Sequence, residues 1–196
     1  GQMDCGPPET PLGAPQPDTK TYFEFGEHTL GVPEPLLELR CILVEMVERC
    51  ALTLARSFSA PLESSLSSLV DRQNGPVLRM TWYPGGYVGE INQSHTDIDL
   101  FTILPAASRP GLEQRLCGEW SPIHIDQNEV VVMVGEIVQE LGNAEATIHR
   151  VVGGDCDRIS ASLFVNAAPS IMLPGNVRAG ELMEMRLGAT RRRNGD

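Results

Sequence analysis

Residues 146 to 167 read ATIHRVVGGDCDRISASLFVNA, and this stretch decides the class of fold. Two runs rich in apolar and β-branched residues, Ala146–Val152 and Arg158–Ala167, flank the turn residues Gly153-Gly154-Asp155. Short runs of this composition between turn residues are typical of β-strands. The pattern predicts two strands, and the glycine-rich turn predicts a hairpin that joins them.

Five further strand-like runs precede this pair, and most are separated by Gly, Pro, Asn or Asp. They are Val77–Tyr83, Leu100–Leu104, Gly111–Leu116, Trp120–Ile125 and Val130–Val134. Seven short strands at close spacing predict an all-β sandwich, jelly roll or barrel.

The segments outside the strand region predict helices and a linker. The run Pro33–Ser57 predicts one helix, because apolar residues recur at three-to-four spacing and form a single stripe; the stripe is Leu36, Leu39, Leu43, Met46, Val47, Cys50 and Leu54. Shorter helices are predicted over Pro61–Asp71 and Ala179–Leu187. Residues 1–20 are rich in Pro and Gly and predict a loop or linker.

The composition excludes several classes of partner. The 196 residues carry 15 Lys plus Arg and 26 Asp plus Glu, which gives a net charge of −11. This balance argues against nucleic acid or an anionic membrane, since both are bound by clustered cations. The apolar runs are too short to span a membrane, and the N-terminus lacks the pattern of a signal peptide. Lys20 is the only lysine, which we attribute to composition and not to chemistry.

The cysteine pattern bears on the cellular compartment. The five cysteines are scattered and contain no Cys-x-x-Cys pair. They therefore predict reduced thiols in a cytoplasmic protein, not a disulfide framework or a zinc site.

Two histidines and one aspartate could form a metal site. In an extended segment, His95 and Asp97 point to the same side because side chains alternate. His149 lies on a later predicted strand, which a jelly roll could bring alongside. Two imidazoles and one carboxylate on one face form the triad of non-haem Fe(II) oxygenases. Arg158 and Ser160 follow on the next strand and, by the same alternation, could together hold a carboxylate.

An ordered series of motifs extends from Leu78 to Pro169. The series is Arg79-Met80-Thr81-Trp82-Tyr83-Pro84, His95-Thr96-Asp97, Pro110-Gly111-Leu112-Glu113, Gly118-Glu119-Trp120, Val134-Gly135-Glu136, Ile148-His149-Arg150-Val151 and Arg158-Ile159-Ser160-Ala161-Ser162-Leu163-Phe164-Val165-Asn166. In this order the series resembles the isopenicillin N synthase-like branch of the 2-oxoglutarate/Fe(II)-dependent dioxygenases. The resemblance implies a distorted jelly roll, or double-stranded β-helix, with a long supporting helix and a short C-terminal helix.

The resemblance also implies roles for individual residues. His95, Asp97 and His149 would bind Fe(II). Arg158 and Ser160 would hold the far carboxylate of 2-oxoglutarate, with help from the hydroxyl of Tyr83. Phe164 would line the substrate pocket, or it would belong to the core. The segment Gly180-Glu181-Leu182 would start a C-terminal helix that closes over the site, and Thr81 departs from the Asn of many relatives.

The implied enzyme is a dioxygenase that consumes O₂ and 2-oxoglutarate. It would oxidise a small molecule by hydrogen abstraction, with hydroxylation, desaturation or cyclisation as the outcome, and this branch mostly serves secondary metabolism. The implied organisation is an N-terminal segment over residues 1–32, supporting helices over 33–76, a catalytic jelly roll over 77–170 and a C-terminal helix and tail over 171–196. Because relatives carry a longer N-terminal region, we expect residues 1–32 to be its remnant and the substrate pocket to be incomplete.

Two alternatives stay open at this stage. Some relatives keep the Arg-x-Ser pair without using 2-oxoglutarate, so an Fe(II) oxidase of the same fold is possible. The chain could also be a jelly-roll binding module that has lost catalysis. His28 and His124 are interpreted as structural or surface histidines. Asp126, Glu136 and Glu140 are interpreted as solvated carboxylates of loops or strand ends, and Asp99 is interpreted as a surface residue.

Overall fold

The computed structural model describes residues 18–57, 66–142 and 144–193. Within them the strands are β1 Thr21–Phe25, β2 Val77–Tyr83, β3 Glu90–His95, β4 Phe101–Pro105, β5 Leu112–Leu116, β6 Glu119–Pro122, β7 Val130–Val134, β8 His149–Val152, β9 Arg158–Val165, β10 Met172–Leu173 and β11 Val177–Arg178. The helices are α1 Glu34–Glu45, α2 Val47–Ser57, α3 Leu66–Leu69, α4 Glu136–Glu140 and α5 Ala179–Arg193.

Two antiparallel sheets form a jelly roll. The major sheet has the order β1-β2-β9-β4-β7 and the minor sheet has the order β3-β8-β5-β6. Apolar side chains from both sheets meet in one buried cluster, which contains Tyr83, Leu104 and Met133 of the major sheet and Ile91, Leu112 and Val151 of the minor sheet. The mainly β jelly-roll class predicted from the sequence is confirmed.

The predicted hairpin between the last two long strands is wrong. β8 pairs with β3 and β5 in the minor sheet, whereas β9 pairs with β2 and β4 in the major sheet. The turn at residues 153–155 therefore carries the chain from one sheet to the other. Local turn chemistry predicts a reversal of the chain but not which strand becomes the partner.

The long helix covers the outer face of the major sheet. Every residue of the predicted apolar stripe lies in or against the main core cluster, together with Leu78, Leu163 and Val165 of the sheet. The sequence predicts one continuous helix here, but the structure has two. The chain turns at Met46, which separates α1 from α2. Buried Arg40 closes the edge of this layer by donating from Nε and Nη2 to the carbonyl of Pro76, at 3.2 and 2.8 Å.

The N-terminal segment contributes an edge strand that the sequence did not predict. β1 pairs with β2 along its whole length, from Thr21 opposite Trp82 to Phe25 opposite Leu78. Asp18 is buried ahead of it, so the end of the predicted linker belongs to the folded domain. Residues 1–17 of that linker lie outside the described residues, as do residues 58–65, which include the start of the predicted second helix.

The C-terminal helix is longer than the sequence predicts. α5 continues beyond the predicted end at Leu187 to Arg193.

Elsewhere in the chain, Cys41, Cys50, Cys117 and Cys156 are free thiols. Among the described helices, none has the length and apolarity needed to cross a membrane.

Leu163 offers a test of the packing between the helices and the major sheet. Its side chain is fully buried on the helix-facing side of central strand β9. We expect Leu163→Ala to lower the free energy of unfolding by roughly 2–5 kcal/mol, since it removes buried carbon and leaves a cavity. Urea denaturation followed by circular dichroism measures the change. Val88→Ala, at a fully exposed position, is the control, and a loss as small as the control's would contradict this packing.

Candidate metal centre

His95 and His149 lie opposite each other on neighbouring strands. The pairing of β3 with β8 places these two residues in register, and their ring centroids are 4.3 Å apart. The ladder is irregular between Asn92 and His95, where the register shifts. Irregularities of this kind re-aim a side chain and are frequent beside active sites. Two strands that are distant in the sequence thus bring two imidazoles together.

Each imidazole is oriented by a backbone carbonyl. His95 Nδ1 lies 2.7 Å from the carbonyl oxygen of Gln93, and His149 Nδ1 lies 3.0 Å from that of Thr147. A carbonyl only accepts, so each Nδ1 carries the proton and donates it. Nε2 of each ring then presents a lone pair, which is the arrangement seen in metal-ligating histidines.

Both lone pairs are directed toward Asp97. Its Oδ1 lies 3.6 Å from His95 Nε2 and 3.9 Å from His149 Nε2, and one ligand atom from each residue lies within 4.8 Å of the others. β3 ends at His95, so Asp97 stands in the following turn and strand alternation does not place it. The backbone N–H of Glu136 holds this turn by donating to the Asp97 carbonyl at 2.8 Å.

A buried second carboxyl supports Asp97 through a shared hydroxyl. Thr102 Oγ1 lies 2.5 Å from Asp97 Oδ2 and 2.9 Å from Asp99 Oδ2. The interpretation of Asp99 as a surface residue is therefore wrong, since it is 2% exposed. Burial and the charge of Asp97 raise the pKa of Asp99 well above its usual value. The Thr102 hydroxyl thus stands between the two carboxyls, within hydrogen-bond distance of both.

Burial and neighbouring charges shift the pKa values of His95 and Asp97. Burial, followed by the neighbouring His149, lowers the pKa of His95 to about 3. Burial alone would raise the pKa of Asp97, but His149, His95 and the Thr102 hydroxyl hold it below its usual value. A neutral imidazole beside an ionised carboxylate is the state that a divalent metal requires of its ligands.

The C-terminal helix reaches this turn through Glu136. Thr96 Oγ1 donates to Glu136 Oε1 at 2.6 Å, and Arg186 of α5 pairs with Glu136 Oε2 at 3.0 Å. Glu136 is therefore not the solvated carboxylate expected from the sequence. Gly135 permits the close approach, since a Cβ there would overlap the carbonyl of Asp99. The other polar candidates are exposed, namely Asp126, Glu140, His28 and His124.

A cavity opens beside the two imidazoles, on the inner face of the major sheet. Its walls include Arg158, Ser160, Ser162 and Phe164, which are alternate residues of β9. Thr81 and Tyr83 of β2 pair with Ser160 and Arg158 and line the same wall. About 470 Å³ of space lies between these walls, and part of it is open to solvent.

Arg158 is a buried cation with unused hydrogen-bonding capacity. It is 6% exposed, and its Nε donates to the carbonyl of Arg109 at 3.1 Å. Its Nη1 is buried without a hydrogen-bond partner among the described residues. Its Cζ lies 5.3 Å from the ring centroid of Tyr83. An unsatisfied buried N–H is costly, so this atom indicates a site for an acceptor that enters from outside.

Several residues in and around the cavity were not identified from the sequence. Lys20 precedes the unpredicted strand β1, and Arg79 was noted only as part of a motif, yet both line the cavity. Phe164 is half-buried and lines the cavity, which excludes a purely core position. The sequence offered one signal for Lys20, namely that it is the chain's only lysine, and this was attributed to composition.

The donor set fits a non-haem ferrous ion. Two neutral imidazole nitrogens and a carboxylate oxygen can occupy one face of an octahedron and leave the opposite face open. The profile of the 2OG-Fe(II) oxygenase superfamily matches residues 76–167, which span every one of these donors. The protein carries a 2OG-Fe(II) oxygenase domain. It is thus a dioxygenase, and the predicted cofactors Fe(II), 2-oxoglutarate and O₂ are confirmed.

Solved structures share the fold of this oxygenase at low identity. A protein from Shewanella oneidensis is 22% identical with a TM-score of 0.71, over 92% of this chain and 74% of that one. A full-length Neurospora crassa protein in complex with alpha-KG is 22% identical with a TM-score of 0.66, over 88% and 67%. A rice dioxygenase for auxin oxidation is 19% identical with a TM-score of 0.67, over 88% and 70%. No curated protein matches the chain.

The depressed pKa of His95 predicts a pH-dependent stability of the metal-free protein. The unfolded chain binds a proton near the usual value of 6.5, whereas the folded chain keeps this imidazole neutral down to about 3. The unfolded state therefore holds more protons between these values, and stability falls as pH drops through this window. Urea denaturation at a series of pH values in the presence of a chelator measures the slope.

His95→Gln should flatten this slope, and His124→Gln, at an exposed histidine, should leave it unchanged. Equal slopes in the wild type and in His95→Gln would contradict the burial of a neutral imidazole.

Proposed function

We propose that His95, Asp97 and His149 bind the ferrous ion of this dioxygenase. The supporting observation is that two Nε2 atoms and one carboxylate oxygen converge beside a cavity with an unsatisfied buried guanidinium. Each histidine is oriented by a carbonyl, and Asp97 is oriented by Thr102. Such outer contacts fix the direction of the ligands before the metal arrives.

Arg158, Ser160 and Tyr83 would hold 2-oxoglutarate in the same cavity. Arg158 Nη1 supplies the charged donor for the far carboxylate, and Ser160 adds a hydroxyl two residues along the same strand face. Tyr83 stands opposite Arg158 in the strand ladder. A guanidinium held in this way binds a carboxylate with charge-assisted hydrogen bonds, which are the strong ones.

The substrate would be a small molecule that contacts Phe164 at the cavity wall. The Neurospora crassa neighbour is known in complex with alpha-KG and thymine, so a related jelly roll accommodates a small ligand beside the co-substrate. When bound, iron would activate O₂ with two electrons taken from 2-oxoglutarate, and O₂ would supply the oxidising power for hydrogen abstraction. The chain's residues fix the orientation of the target C–H bond, and orientation of this kind is a large part of catalysis.

The finer assignment follows the motif resemblance. We place the protein in the isopenicillin N synthase-like branch, with hydroxylation, desaturation or cyclisation of a secondary metabolite as its reaction. The cytoplasmic location, expected from the cysteine pattern, stays a prediction.

Succinate formation tests this assignment directly. Purified protein with Fe(II) and 2-oxoglutarate should release succinate, including in slow turnover without substrate. His149→Ala should abolish both iron binding and succinate release, because a ligand is lost.

Arg158→Met should retain iron and raise the KM for 2-oxoglutarate by at least about ten-fold, since a hydrogen bond to a charged group contributes about 1.5–3 kcal/mol.

Arg115→Gln is the matched control, because Arg115 is exposed on β5 and does not line the cavity. O₂ consumption without 2-oxoglutarate would favour the oxidase alternative. Iron binding that survives His95→Ala unchanged would count for a binding module.

Thr102→Val tests the support of Asp97. Valine has the shape of threonine without its hydroxyl, so the contact with Asp97 and Asp99 is lost while packing is kept. We expect iron affinity to fall by roughly 10–100-fold, as for other outer contacts of metal ligands. Thr53→Val, on an exposed face of α2, is the control for a generic Thr→Val effect. Unchanged iron affinity in Thr102→Val would show that Asp97 needs no such support.

A further inference from the structure

Given the proposed function, we infer that Asp18 and Lys20 are positioning residues for His95. The two residues precede β1 and contact β3, the strand that ends at His95. They fix the backbone at Gln93, whose carbonyl in turn orients the imidazole of His95. The segment ahead of β1 thereby contributes to the affinity for iron.

β3 needs support from outside its own ladder. It lies at the edge of the minor sheet, since among the described strands only β8 pairs with it. Its ladder with β8 shifts register twice, between Glu90 and Asn92 and again between Asn92 and His95. An irregular edge strand bends and leaves N–H and C=O groups unpaired. Pairing with β8 alone therefore does not fix the backbone ahead of His95.

The residues ahead of β1 supply this support. The backbone N–H of Thr19 donates to the carbonyl of Ile91 at 2.9 Å. The backbone N–H of Gln93 donates to Asp18 Oδ1 at 2.7 Å. These two bonds hold β3 on both sides of Asn92, where the register shifts.

Asp18 and Lys20 also hold each other in the protein interior. Lys20 Nζ lies 2.9 Å from Asp18 Oδ2, and the two side chains are 4% and 0% exposed. The same Nζ donates to Asn92 Oδ1 at 2.9 Å, so the residue between the two backbone contacts is held as well. Burying an ion pair costs desolvation, and such a pair is weak evidence for added stability. We therefore assign this pair to fixing one conformation of β3.

The hydrogen bond that orients His95 starts at the residue that Asp18 fixes. The carbonyl of Gln93 accepts from His95 Nδ1 at 2.7 Å, and Nε2 of the same ring lies 3.6 Å from Asp97 Oδ1. A displaced Gln93 carbonyl would let the ring turn away from the other ligands. Outer contacts of this kind fix the direction of a ligand, and their loss weakens metal binding.

Two double variants test the hydrogen bond to Gln93. Lys20→Met with Asp18→Leu removes the acceptor, whereas Lys20→Met with Asp18→Asn keeps an acceptor oxygen, and neither leaves an unpaired buried charge. Fe(II) is titrated into each full chain by calorimetry without O₂. We expect the Asp18→Leu form to bind Fe(II) about ten-fold more weakly than the wild type, and the Asp18→Asn form to stay within about three-fold of it.

The ring protons of the histidines report the orientation itself. The full chain is loaded with Zn(II), a diamagnetic probe for the same donors, and its imidazole N–H signals are recorded by NMR. The Asp18→Leu form should lose the Nδ1–H signal of His95 through exchange with water. His149, which has its own acceptor in the carbonyl of Thr147, should keep its signal. The Asp18→Asn form should keep both signals.

Arg40→Met controls for a general loss of stability. Arg40 is another buried cation, but it donates to the carbonyl of Pro76 at the edge of the helix layer. This variant should lower the free energy of unfolding and leave Fe(II) affinity and both histidine signals unchanged.

The outcomes separate this inference from the proposed function. Wild-type affinity in the Asp18→Leu form, a retained His95 signal in that form, or an equal loss of affinity in Arg40→Met would each overturn the positioning role. A wild-type chain that binds no Fe(II) would overturn the proposed function instead.

Discussion

The pairing of β3 with β8 is the constraint on which the rest of the site depends. It places His95 opposite His149, and Asp97 then needs only a short turn to reach both rings. Arg150, adjacent to His149 on β8, secures this pairing. Its guanidinium reaches Glu90 of β3 at 2.6 Å and Glu113 of β5 at 2.7 Å, and it lies 4.1 Å from the Trp120 ring of β6. One side chain thus connects all four strands of the minor sheet, on the strand next to a proposed iron ligand.

Burial divides the polar groups of the centre into charged and neutral members. Two carboxyls that share one buried site raise each other's pKa, because each negative charge disfavours the other. The imidazoles and the Thr102 hydroxyl favour the ionised form of Asp97, whereas burial and the charge of Asp97 raise the pKa of Asp99. The Thr102 hydroxyl lies within hydrogen-bond distance of both carboxyls, and its bond to Asp97 favours the ionised form of that residue. This distribution of charge keeps Asp97 available as a ligand.

Much of the fold and of the candidate site could be predicted from local patterns. The period of two in β9 places Arg158, Ser160 and Phe164 on one face, and the apolar stripe of α1 and α2 marks the surface that packs on the sheet. These features depend on neighbours in the sequence. The failures concern long-range partners. The turn after β8 predicts a hairpin locally, but the pairing of β8 with β3 and β5 sends the next strand to the other sheet. In the sequence, Asp99 cannot be distinguished from a surface aspartate. Only the folded structure brings Thr102 and Gly135 against it and buries it.

The charge of the chain shows why composition bears on partners but not on small ligands. A net charge of −11 disfavours a polyanion, whose binding needs many cations spread over a surface. A small anion needs only one or two cations at short range, and beyond about 8 Å physiological salt screens the acidic surface. Only 6% of Arg158 is exposed, so its field acts within the cavity and not at the surface. Burial also lowers the pKa of this guanidinium, and a bound carboxylate would offset that cost. An acidic protein can therefore bind an anionic co-substrate in a cavity lined by cations, and the exclusion drawn from net charge extends to macromolecules alone.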